Sequence, residues 1–275
     1  MNLIWQIVLF VALLMIAESP GQSRPARGYL GFDRNDYPGD AAMRELRKEF
    51  SFTGYWLTPP PEEKRNSWTG RRRALESQGY GFLLLARGRA PSKIHDAATA
   101  QQAGTGDARE AARGATAEGF AAGAIIFLDI EDGGRLGGTY HAYLKAWADE
   151  LTKSGFRPGV YCSGIAVDEG QGVTVVTAED IRANEAPRDI AYWVFNDACP
   201  PSPGCVSLDI PPPPSASGMQ DATAWQFVRS PRDKQTASRC AGFARDENCY
   251  GAADAAKKWF LDMDIAARPN PSFVP

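Results

Sequence analysis

Histidine is nearly absent from this chain: His95 and His141 are the only two in 275 residues, and no Cys-x-x-Cys pair occurs. A transition-metal centre needs several nitrogen or thiolate ligands, so neither a metal site nor another cofactor is expected. A basic stripe is missing too. The formal charge is −3, and the densest basic run, Arg71–Arg72–Arg73, falls in a helical stretch where a solvated face explains it. A nucleic-acid partner is therefore not expected. The first strand ends in Gly31–Phe32–Asp33 rather than in a Gly-rich phosphate turn, which argues against an open nucleotide-binding sheet. No internal repeat and no second domain are visible.

Long apolar runs are also lacking. Ile4 to Ile16 is apolar except for Gln6, shorter than the roughly 20 residues of a membrane-spanning helix. The small and polar stretch Glu18 to Ser23 follows it. That order fits a secretory signal peptide over residues 1–23, leaving 24–275 as one mature domain without a transmembrane segment. No Lys or Arg precedes the run, and an N-terminal membrane anchor is the alternative. The expected location is exported, periplasmic or extracellular. Five cysteines are an odd number. Cys199 and Cys205 bracket a Pro-rich loop, and Cys240 and Cys249 bracket a second loop, so two local disulfides are expected in an exported chain. Cys162 is left over and reads as a small buried residue.

What is present is an alternation of strand-like and helix-like segments. Strands are expected at Gly28–Asp33, Phe52–Leu57, Gly81–Arg87, Ala124–Ile130, Arg157–Cys162, Ile190–Phe195, Thr223–Val228 and Trp259–Asp264. Several are continuous apolar runs, as parallel strands buried on both faces require. Helices are expected at about Asp40–Phe50, Asn66–Gln78, Asp107–Ala121, Thr139–Ser154, Ala178–Asn184 and Ala252–Lys258, with Asp40 as an N-cap. A Pro-rich stretch, Ala198 to Ser217, stands where one more helix would fall. Eight strands with intervening helices predict an α/β fold, a (β/α)8 TIM-barrel-like domain with disulfide-bearing loops.

In such a barrel the active site lies at the C-terminal ends of the strands. Asp33, Arg87, Asp129, Glu131, Tyr161, Asn196, Asp197, Asp262 and Asp264 collect at those ends, and Trp225 and Gln226 lie in the seventh strand. Asp129 and Glu131 stand at i and i+2, on one face of a strand with Cα atoms roughly 6.5–7 Å apart. Paired carboxylates at that range perturb each other's ionisation, the arrangement a glycosidase uses to protonate a leaving oxygen and stabilise the anomeric centre. Tyr161 and Trp225 could offer apolar faces to sugar rings, as could Tyr37, while Trp56 and Trp193 read as core. Arg87 could hold an acidic substituent or pair with Asp129.

These motifs follow in an order that resembles a known family. Gly31–Phe32–Asp33, Phe127–Leu128–Asp129–Ile130–Glu131, Gly159–Val160–Tyr161–Cys162–Ser163–Gly164, Trp225–Gln226–Phe227 and Leu261–Asp262–Met263–Asp264 are similar to those of the bacterial glycoside hydrolase-like domain related to the family 25 lysozymes. The resemblance implies a barrel acting on peptidoglycan or another cell-wall polysaccharide, with Glu131 as proton donor and Asp129 as its partner carboxylate. Asp33, Asp262 and, more loosely, Tyr161 would contact the substrate. Arg34 to Gly39, the cysteine-bracketed loops and the Pro-rich stretch depart from the lysozyme pattern. A non-catalytic glycan-binding or envelope-associated barrel is the alternative function.

Overall fold

The structure, a computed structural model, describes residues 28–196, 213–229, 249–251 and 258–273. In chain order the elements are β1 (Tyr29–Asp33), α1 (Asp40–Leu46), β2 (Phe52–Trp56), α2 (Arg72–Ser77), β3 (Gly81–Arg87), α3 (Ala97–Glu118), β4 (Ile125–Asp129) and α4 (Gly138–Lys153). They continue with β5 (Arg157–Ser163), β6 (Ala166–Gly170), β7 (Val173–Val176), α5 (Thr177–Glu185), β8 (Ala191–Phe195), β9 (Ala224–Val228), β10 (Cys249–Gly251), β11 (Lys258–Phe260) and β12 (Asp262–Ala266). Eight strands close into a barrel in the order β1-β12-β9-β8-β5-β4-β3-β2.

The alternating (β/α)8 barrel expected from the sequence is not what forms. The strands from β1 to β9 in this ring run parallel, but β12 is antiparallel to both of its neighbours, β1 and β9. Only five α-helices occur among the described residues. A β6–β7 hairpin, absent from the sequence-based assignment, follows β5. Between β8 and β9 the described residues hold only a single 3-10 turn, Pro214–Ser217, and between β9 and β12 they hold the antiparallel pair β10–β11. A parallel strand needs a crossover to return the chain to its starting end, usually a helix. A strand entering from the opposite end needs none, and β12 enters that way.

Other boundaries moved for local reasons. Asp40 is the first residue of α1 and Gly39 occupies its cap. The helix α3 begins ten residues earlier than expected, at Ala97, capped by Asp96, whose carboxylate accepts from the Ala98 and Thr99 amides at 3.0 and 2.9 Å. Gly104 and Gly106 obscured that start. Gly104 is needed there, because a Cβ would lie 2.2 Å from the Tyr143 carbonyl of α4. The helix expected at Ala252–Lys258 falls mostly outside the described residues, and Lys258 opens β11. Cys199, Cys205 and Cys240 and the side chain of Cys249 also lie outside them, as does the signal segment 1–23. Cys162 is a free, buried thiol. No helix among the described residues is long and apolar enough to cross a membrane.

Candidate active site

The C-terminal ends of the parallel strands and the N-terminal end of β12 share one mouth of the barrel. Asp33 at the end of β1 stands level with Asp262 at the start of β12. Asp129 stands level with Tyr161, and Tyr161 with Trp193. A cleft of about 360 Å³ opens there, lined by Asp33, Asp129, Glu131, Asp262 and Tyr161, together with Arg34, Asn35, Asp36, Trp56, Pro61, Glu62, Leu85 and Trp193. Asp33 and Asp129 are each 8% exposed, whereas Glu131 is exposed at the rim. The Ile130 amide between the β4 carboxylates donates to the Tyr161 carbonyl at 2.9 Å, tying Glu131's approach to β5.

Two glycines make room for these carboxylates. A Cβ on Gly54 would fall 2.5 Å from the Cβ of Asp33, and one on Gly88 only 1.9 Å from the carbonyl oxygen of Asp129. Both separations are far inside van der Waals contact, so the side chains at the mouth depend on the absence of side chains beside them.

A buried polar network lies beneath the cleft. The Tyr161 hydroxyl donates to Gln226 Oε1 at 2.7 Å, and Gln226 Nε2 donates to Asp33 Oδ2 at 2.8 Å. The Trp193 indole donates to Asp264 Oδ1 at 3.0 Å. Burial, and next the charge of Asp262, pushes the Asp33 carboxyl up, while the Gln226 amide opposes the rise. Burial also raises the Tyr161 phenol, reinforced by Asp33, so it stays a protonated donor. Arg34, the one cation among the described residues lining the cleft, is lowered by burial and supported by Asp36 and Asp262.

The loop from β4 to α4 carries Glu131 and is held from the side of α5. The Leu136 amide donates to Asp180 Oδ2 at 3.0 Å, and Thr177 Oγ1 donates to the Gly134 carbonyl at 2.9 Å. His141 sits between Asp180 Oδ2 at 3.0 Å and Glu185 Oε1 at 3.2 Å. The Glu185 hydrogen bond is the main reason its imidazole is pushed up; burial opposes and Asp180 adds to the rise.

Two expected site residues are elsewhere. Arg87 is level with Asp129 across β3 and β4, but its exposed side chain borders a second depression with Thr58, Lys93 and Glu110. Trp225 is buried, donates to the Asn196 carbonyl at 2.9 Å and packs edge-on against Phe227, in the core rather than the cleft. Tyr37 packs on Trp68. Conversely, Trp56 and Trp193, read as core, are buried yet form part of the cleft wall. Gln226 and Asp264 were visible in their motifs without a role. Arg34, Asn35, Asp36 and Glu62 belong to loops without a recognisable pattern.

The Rv2525c-like, glycoside hydrolase-like domain family matches residues 59–202, just over half of the chain. An uncharacterized B. stearothermophilus protein of known crystal structure superposes with a TM-score of 0.54 at 19% identity, over 87% of this chain and 96% of that one. The Clostridium perfringens spore cortex lytic enzyme SleM gives 0.49 at 12% identity, over 89% and 69%. A bacterial lysozyme from Streptomyces coelicolor gives 0.43 at 12% identity, over 74% and 86%. At such identities the likeness concerns the fold alone. No curated protein sequence matches the chain.

Proposed function

The chain belongs to the Rv2525c-like, glycoside hydrolase-like domain family, and on that premise we propose that it is an exported hydrolase of glycosidic bonds in peptidoglycan or a related cell-wall glycan. One observation carries this assignment: carboxylates from three separate strands and the loop after one of them line a single open cleft at differing depths. Glu131, at the rim, is the general acid that protonates the leaving oxygen and then the base that activates water. Asp129, at the floor, either attacks the anomeric carbon or steadies an acetamido group that does so. Asp33 and Asp262 orient the sugar, and Tyr161 fixes Asp33 through Gln226. Trp56 and Trp193 back the cleft wall from within the core. Trp225 and Arg87, outside the cleft, take no part. Export rests on the N-terminal apolar run.

The test is turbidity loss and muropeptide release from purified cell walls. Glu131→Gln is expected to lower the rate about 10²–10⁴-fold, the usual contribution of a general acid. Release no greater than that of Glu131→Gln, across wall types and pH, rejects hydrolysis. Saturable binding to wall glycan without cleavage would instead identify a non-catalytic glycan-binding barrel.

A further inference from the structure

Asp264 has the most enclosed carboxyl group in the network. It is 0% exposed, two residues deeper than Asp262 and level with Gly31 of β1. One oxygen, Oδ1, accepts from the Trp193 indole at 3.0 Å; the other, Oδ2, has no hydrogen-bond partner. Among the described residues, the groups around it are Asp33 on β1, Asp262 on its own strand, Tyr161 on β5, Trp193 on β8 and its cross-strand neighbour Gln226 on β9, and none of these is a cation. Asp33 is within side-chain hydrogen-bonding range. Ionised carboxylates only accept, so two of them facing each other without a cation leave an orphan oxygen and a buried like-charge contact. One proton between them removes both penalties.

The location of that proton follows from the other partners. Asp33 Oδ2 receives the Gln226 amide, and Asp33 borders the cleft, so a negative charge is better tolerated there. Asp264 accepts from the neutral indole and is sealed from solvent. We infer that Asp264 is held as a neutral carboxylic acid whose Oδ2–H donates to Asp33, making it a positioning residue for the charged carboxylate above it. Burial, with the charge of Asp33 next, raises the Asp264 carboxyl well above the ordinary carboxylate range, in the same direction. The protonation is independent of the proposed hydrolysis; the value of positioning Asp33 for a sugar rests on it.

Infrared spectroscopy of the full-length protein with ¹³C-labelled aspartate tests the proton directly. At neutral pH the wild type should show the carbonyl band of a protonated aspartic acid. Asp264→Asn should lose it and Asp262→Asn should keep it. No such band in the wild type, or one that survives Asp264→Asn, overturns the inference. Asparagine offers the same acceptor to Trp193 and an N–H to Asp33, so Asp264→Asn should fold, and its failure to do so would also count against a neutral donor. On cell walls, Asp264→Asn should keep kcat/KM within about threefold, while Asp264→Leu, without a donor, should lose about tenfold or more. Loss of activity in Asp264→Asn equal to that in Asp264→Leu means that the charge is needed and overturns the inference. A protein that shows the band but releases nothing from walls refutes the hydrolytic function and leaves the protonated pair standing.

Discussion

Replacing His141 with leucine should rank among the most destabilising single changes in this fold. The imidazole bridges two carboxylates whose side chains are almost fully enclosed, Asp180 at 3% and Glu185 at 1% exposure. Two other cations approach: Arg135 at 3.7 Å from Asp180 Oδ1 and Arg188 at 3.8 Å from Glu185 Oε2. Leucine would leave Glu185 buried with the longer Arg188 contact, and Asp180 with the longer Arg135 contact and the hydrogen bonds from Leu136 and Asn184. Removing one partner of a buried ion pair costs about 3–5 kcal/mol, or roughly 6–20 °C in Tm for a domain of this size. The pH dependence has a definite sign. Glu185 first, and then Asp180 against the burial penalty, raise the His141 imidazole above its usual value. A raised histidine contributes in full below its unfolded value, about 6.5, and its contribution is lost as pH rises through the folded value. The gap between wild type and His141→Leu should therefore be widest near pH 6 and shrink under alkaline conditions. Thermal melts followed by circular dichroism at both ends of that range measure it. A penalty below about 1 kcal/mol at pH 6, or one that widens with pH, would refute the charged bridge.

The neighbourhood of the cleft supports further expectations. Gly54→Ala forces a Cβ to within 2.5 Å of that of Asp33, and should cost about 1–3 kcal/mol in chemical denaturation while lowering wall hydrolysis more than the stability loss explains. Arg87→Ala should leave hydrolysis within about twofold of wild type, as expected for a surface residue outside the cleft; a tenfold fall in muropeptide release would bring that side chain back to the substrate. Trp225→Phe gives up the 2.9 Å bond to Asn196, and should cost about 0.5–1.5 kcal/mol in Tm measurements with KM unchanged.

Most of the barrel was legible because its strands are buried on both faces. Ile125 to Asp129 is entirely enclosed, and a continuous apolar run of that length between turn residues reads as a strand. The β6–β7 hairpin was not legible, since Ala166 to Gly170 is exposed throughout and its acidic residues hide any alternation. Its turn is visible only in retrospect, in the positive φ of Gly170, Gln171 and Gly172. Strand direction was not legible either. Composition reports burial, and a strand buried on both faces looks alike in either direction. The helices were read from periodicity: five of the six expected form as α1 to α5, and the sixth, Ala252–Lys258, lies mostly outside the described residues.

Which side chains share a face was easier to read than the topology, for a reason in strand geometry. Side chains at i and i+2 share a face whichever way the strand runs, so Asp262 and Asp264 were bound to point the same way as each other. What direction decides is depth. In a parallel β12, Asp264 would lie nearer the mouth and Asp262 deeper in the barrel. In the antiparallel strand the order inverts: Asp262 is partly exposed beside Asp33, and Asp264 is sealed beneath it. Depth in turn sets ionisation, because an enclosed carboxyl without a cation keeps its proton and one at the cleft can shed it. Face was therefore readable from sequence spacing alone, whereas the division of labour between the two aspartates became readable only once the barrel was seen to close with a reversed strand.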